Sequence, residues 1–133
     1  VTHDKLSHRC LTVIDLELVK DNYNIKPYNF DTVFIDEVQF FDPKETLTFV
    51  EEGLVSGVNF VCAGLDQDFK GVPFDTTARL MALSDNLERL KAHCTVCGMP
   101  ATKTYRKTKS EQRVLVGGID SYEPRCTQHW KRK

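Results

Sequence analysis

Two short clusters, Cys94-Thr-Val-Cys97 and Cys126-Thr-Gln-His129, restrict the possible folds of this chain more than any other feature. Three thiolates and an imidazole in two matched half-sites suit a tetrahedral zinc ion, and a site closed by four protein ligands is structural rather than catalytic. A metal there would tie residues 94–97 to 126–129 and make the 28 residues between them a loop closed at its base. That closure supplies folding energy that a small lobe cannot draw from its own core. Gly98 follows the first half-site, where a tight turn is needed. Five cysteines cannot all pair within one chain, and Cys10 and Cys62, which sit among apolar neighbours, are expected to be core thiols. Inside the closed loop, Val114 to Val116 reads as a strand and Gly117-Gly118 as a glycine turn, with Tyr122 able to close over it.

The texture upstream of residue 92 is different. Thr32 to Ile35 is a continuous β-forming run, of the kind expected from a central strand covered on both faces of a parallel sheet. From Pro43 to about Gly57, Leu47, Val50, Leu54 and Val55 share one helical face, and Asp42 before Pro43 marks a helix start. Val58 to Gly64 then reads as the next buried strand, which completes a βαβ unit. A loop punctuated by glycine and proline leads into a helix near 75–83. A short strand near 10–14 and a helix to about 23 are expected nearer the start. The organisation is therefore an α/β domain over 1–92 and a small metal-binding lobe over 93–133.

Charge narrows the partners. With 18 Lys+Arg against 19 Asp+Glu, the balance argues against the basic stripe that nucleic-acid binders usually carry, so a small substrate or a protein partner is expected. No apolar run approaches the roughly 20 residues that cross a bilayer, and the first ten residues hold no apolar signal core. A cytoplasmic protein is expected.

The strand 32–35 ends in Asp36 and Glu37. Open α/β sheets bind ligands at the carboxyl ends of their strands, and a hydrophobic strand followed by Asp is the Walker B pattern, whose carboxylate helps hold Mg²⁺ on nucleotide phosphates. A second acid beside it can accept a proton from an attacking hydroxyl or water. Equally, acids at strand ends often cap a helix or face solvent. A phosphate cradle of the form G-x-x-x-x-G-K-[ST] does not occur in the 133 residues. Either the cradle lies upstream of Val1 or phosphates are not bound that way.

The series FIDEVQFF, VCAGLDQDFKGVPF, CTVCGMPATKTYR and VLVGGIDSYEPRC-x-x-H resembles the thymidine kinase family shared by bacteria, animals and poxviruses, from about Thr32 to His129, with Thr2-His3-Asp4 also similar. The resemblance implies a P-loop-type parallel sheet, here without its N-terminal strand, and a zinc-ribbon lobe carrying a lasso loop. It also implies transfer of the γ-phosphoryl group of ATP to the 5′-hydroxyl of thymidine, commonly by a homotetramer. By resemblance, Asp36 matches the Mg²⁺-linked acid and Glu37 the base, with Gln39 in the same motif. Phe40, Leu65, Phe69 and Phe74 match the wall around thymidine. Thr104, Leu115 and Gly117 fall where main-chain groups bind base and sugar, with Tyr122 nearby. His129 stands where many members have a fourth cysteine, a change that zinc accepts. Because the cradle is missing, this polypeptide alone is expected to lack kinase activity that a longer parent has.

Two other classes remain open to the same residues. In a RecA- or helicase-like ATPase, Glu37 would orient water. In a zinc-ribbon interaction module, residues 1–92 would be only a scaffold.

Overall fold

The computed structural model describes residues 30–108 and 121–131. Strands β1 (Thr32–Ile35) and β2 (Asn59–Cys62) pair in parallel, with Thr32 opposite Asn59 and Ile35 opposite Cys62. A parallel pair needs a crossover, and helix α1 (Pro43–Val55) provides it. Its start follows from local chemistry. The Asp42 carboxylate accepts the Glu45 N–H at 3.0 Å, and Pro43 sits at the first helical position, where no amide donor is missed. Its end is marked by Gly57, whose φ of 83° is readily available only to glycine.

The stripe of α1 that packs inward is Thr46, Phe49, Val50 and Gly53, at the i, i+3, i+4, i+7 spacing of one helical face. This corrects the face expected from sequence: Leu47 is only partly buried, while Leu54 and Val55 are exposed, Val55 by 90%. Phe49 sets the phase, because its ring meets Phe60 of β2 edge to face at 6.0 Å. Helix α2 (Asp75–Leu83) has the limits the sequence predicts, and the Thr76 hydroxyl donates to the Phe41 carbonyl at 2.7 Å. Ile35, Val38, Val50 and Leu80 form the core, bordered by Val33, Phe41, Leu47 and Phe60.

Alternation along β1 sends Val33 and Ile35 to that core and Phe34 to the other face. There Phe34 is 75% exposed and its partner Val61 51%. Coverage of β1 on both faces is thus not found: helix packing covers one face only among the described residues. Cys62, although opposite Ile35, is also exposed, so the expectation of a core thiol fails there. Cys10, the strand and helix expected before residue 24, and Val114 to Gly118 lie outside the described residues.

The remaining elements are short. β3 (Ala92–His93) pairs antiparallel with β4 (Pro100–Ala101), and β5 (Lys103–Arg106) pairs antiparallel with β6 (Tyr122–Arg125). The single-turn helix α3 (Thr127–Trp130) follows β6. No helix among the described residues is long and apolar enough to cross a membrane.

Candidate active site and metal centre

β1 delivers Asp36 and Glu37 to its carboxyl end, and a 3-10 turn, Val38–Phe40, carries the chain away. Glu37 has φ 53° and ψ 41°, a left-handed conformation that is uncommon outside glycine, asparagine and aspartate. Two bonds hold it there. Its own N–H donates to Asp36 Oδ1 at 2.8 Å, and its Oε2 accepts from Gln39 Nε2. Gln39 is buried, and its Oε1 accepts the Leu65 N–H at 3.0 Å. One amide thus links the Glu37 carboxylate to the exit of β2. Gly64 makes this approach possible, since a Cβ there would lie 2.5 Å from Gln39 Oε1 and 2.7 Å from Val38 Cγ2.

The loop from residue 63 to Phe74 carries three of the four expected wall residues. It is shaped from within. The Asp68 carboxylate accepts the N–H groups of Lys70 and Val72, both at 2.9 Å, and Gly71 donates to the Asp68 carbonyl at 2.9 Å. Asp followed three residues later by Gly is a β-turn signature that sequence reading could have used. Leu65 is exposed, and Phe40 is 62% exposed. Phe74 is buried where α2 begins, so it packs into the fold rather than standing open.

Phe69 and Thr104 are brought together by a residue the sequence reading did not single out. Trp130 Nε1 donates to both carbonyls, at 3.1 and 3.0 Å. Arg106, buried on β5, stacks its guanidinium 3.7 Å from the Phe69 ring centroid and donates to the Tyr122 hydroxyl at 2.7 Å. The residues described therefore fall into two groups. Asp36, Glu37, Gln39 and Leu65 gather at the strand ends, while Phe69, Thr104, Arg106, Tyr122 and Trp130 gather around β5, β6 and α3. The loop 63–74 runs from one to the other. Leu115 and Gly117 lie outside the described residues.

The ligating atoms of Cys94, Cys97, Cys126 and His129 all lie within 4.8 Å of one another. With zinc–sulfur bonds of about 2.3 Å, the edge of a tetrahedron between two sulfurs is about 3.8 Å. Cys97 Sγ and Cys126 Sγ stand 3.8 Å apart, and His129 Nδ1 lies 3.2 Å from Cys126 Sγ and 3.8 Å from Cys94 Sγ. Both the donor set and its spacing fit a tetrahedral zinc ion. The first half-site closes through Gly98, whose φ is 73° and whose N–H donates to the Cys94 carbonyl at 2.8 Å. Thr95 N–H donates to the Pro124 carbonyl at 3.1 Å, which draws this knuckle onto β6 and so toward the second half-site.

The sulfurs are electrostatically unequal. Burial pushes the Cys94 thiol up, but the N–H groups of Cys126, Val96 and Cys97 and the Cys97 side chain outweigh it and bring the pKa down to about 6. Cys97 accepts the Met99 N–H, which lowers its thiol, yet desolvation and the adjoining Cys94 and Cys126 sulfurs prevail and raise it. Thiolate is the form that ligates metal, and the lowered Cys94 pKa favours that form.

Comparison with known proteins adds an independent finding. A family model described as thymidine kinase matches residues 1–130. Among similar curated proteins are the thymidine kinases of Mesomycoplasma hyopneumoniae strains 7448, J and 232, each 43% identical over 98 residues. That alignment covers 74% of this chain and 53% of each relative, so the chain spans about half the length of the curated relatives it matches.

Proposed function

The chain belongs to the thymidine kinase family, and on that footing we propose that it supplies part of an enzyme that moves the γ-phosphoryl group of ATP to the 5′-hydroxyl of thymidine. The observation that carries this reading is the acid pair at the end of a parallel strand, with the second carboxylate held by a buried amide. In this reading Asp36, an exposed hard-oxygen donor, would hold Mg²⁺, which supplies charge neutralisation for the phosphates. Glu37 is the general base. As the 5′-oxygen attacks the γ-phosphorus, the bond from that phosphorus to the β,γ-bridging oxygen breaks and ADP leaves with the electron pair. The hydroxyl proton passes to the Glu37 carboxylate oxygen that Gln39 does not occupy.

Phe40, Leu65, Phe69 and Phe74 then form the nucleoside wall, although the burial of Phe74 assigns it to supporting that wall from behind. Main-chain groups of Thr104, Leu115 and Gly117 meet the base and sugar, and Tyr122 packs beside them. Zinc at Cys94, Cys97, Cys126 and His129 is structural and holds the lobe closed. Because no phosphate cradle occurs in the 133 residues, the activity belongs to a full-length protein, and this stretch by itself is inactive. A cytoplasmic homotetramer completes the reading.

Glu37→Gln in the full-length protein tests it. Removing a general base costs roughly 10²-fold or more in kcat, while the folding midpoint and zinc content stay at wild-type values. Steady-state thymidine phosphorylation read alongside thermal melting checks this outcome. Unchanged turnover would remove Glu37 from the role of base, whereas a wild-type full-length protein that phosphorylates no thymidine, with cellular function intact in Glu37→Gln, would transfer the case to the zinc-ribbon interaction module.

A further inference from the structure

α3 is a four-residue helix with no side-chain cap at its start. A single turn of helix has no stability of its own in water, because nucleation is unfavourable and only outside contacts can hold it. Two kinds of contact hold this one. Cys126 precedes its first residue and His129 is its third, so the metal-ligating half-site and the helix are the same piece of chain. Trp130, its last residue, reaches the other way.

The contacts of Trp130 converge on one loop and one strand. Its indole N–H is shared between the carbonyls of Phe69 and Thr104. Its ring lies over Gly71, which has φ 81° and where an added Cβ would stand 2.6 Å from Trp130 Cη2. Lys103 Nζ sits 4.9 Å from the ring centroid and donates to Gln67 Oε1 at 2.7 Å. Gln67, Phe69 and Gly71 of the loop, together with Lys103 and Thr104 of β5, therefore all meet at this side chain. Asp68 fixes the loop's internal shape, and the indole, together with Arg106 over Phe69 and Lys103 bonded to Gln67, places it against β5.

We propose that Trp130 is a positioning residue that couples the metal site to the nucleoside wall: the four-ligand site holds α3 in place, and Trp130 in turn sets Phe69 against Thr104. The inference rests on the functional reading above for its nucleoside half. Its metal half does not. Ligand loss at Cys126 or His129 frees the helix turn that carries the indole, so the wall loosens although no residue of the wall has changed.

Tryptophan fluorescence and thymidine binding test the two halves separately. The 133-residue chain has one tryptophan, so its emission reports this joint directly; in the full-length protein the contribution of residue 130 is the difference from Trp130→Phe. Stripping zinc with a chelator should shift the Trp130 emission to the red, and adding zinc back should restore it. An emission maximum that does not move on removal and return of the metal overturns the coupling. In the full-length protein, Trp130→Phe keeps a ring but loses the shared N–H, and should raise the KM for thymidine about tenfold, more than it lowers kcat, with zinc content unchanged. Wild-type KM in Trp130→Phe overturns the positioning role. If the wild-type protein neither binds nor phosphorylates thymidine, the functional reading fails and takes the nucleoside half of the proposal with it, whereas the metal-dependent emission still decides the other half.

Discussion

At the scale of single residues, the acid pair depends on neighbours that carry no charge. Gln39 is buried with both ends of its amide engaged, one by Glu37 and the other by the Leu65 N–H. That geometry leaves no room for a side chain at position 64. The clash is with Val38, which is almost wholly buried, as well as with the amide, so local yielding is limited. Gly64→Ala should therefore destabilise the fold by about 1–3 kcal/mol, the usual cost of forcing extra volume into a packed site, read as a lowered midpoint in chemical unfolding. Its backbone φ lies outside the left-handed region, so the effect is one of space. The sequence announced Asp36 and Glu37 because strand and acids are contiguous. Gln39 appeared there only as a motif member, since its second partner lies 26 residues away.

At the scale of elements, local chemistry was readable and tertiary phase was not. The start of α1 followed from Asp42 and Pro43, and α2 from its own pattern, because caps and periodicity are written within a few residues. Which stripe of α1 turns inward was misread, because Thr46 and Gly53 do not look like core residues and Val55 does. Phe49→Ala should cost roughly 3–5 kcal/mol, since the ring is buried and abuts Phe60. Val55→Ala, on the exposed side, should stay within about 0.5 kcal/mol of wild type. Equilibrium unfolding of the two variants separates the observed stripe from the one expected. The clustering of Cys94, Cys97, Cys126 and His129 was the most legible part of the candidate site, because residue type and spacing announce such a group without help from the fold. Trp130 was the least legible, although it adjoins a ligand: its contact with Phe69 spans 61 residues.

At the scale of the whole molecule, the lobe beyond residue 92 has few apolar residues buried among those described, chiefly Cys94 and Ala101. Its antiparallel pairs are short, and two-stranded units are marginal alone. On the proposed reading, most of its cohesion comes from a metal held by Cys94, Cys97, Cys126 and His129 and from ring and cation contacts such as Arg125 over Tyr105 at 3.8 Å. Cys126→Ser, or chelation of the wild-type protein, should abolish protection of β5 and β6 amides from hydrogen exchange while α1 amides stay protected. Protection of β5 and β6 that survives metal removal would show that packing alone holds the lobe. The α/β part draws its cohesion from a different source, the cluster around Ile35, Val38, Val50 and Leu80.

The left-handed backbone at Glu37 has a practical corollary for anyone who engineers this protein. A side chain in that conformation sacrifices about 1–2 kcal/mol that glycine would recover. A directed-evolution campaign scored only on heat tolerance is rewarded for that backbone relief to the extent that it exceeds the loss of the Gln39 bond, and it would discard the carboxylate proposed above as the proton acceptor. Selection for robustness at that position has to be paired with a turnover screen.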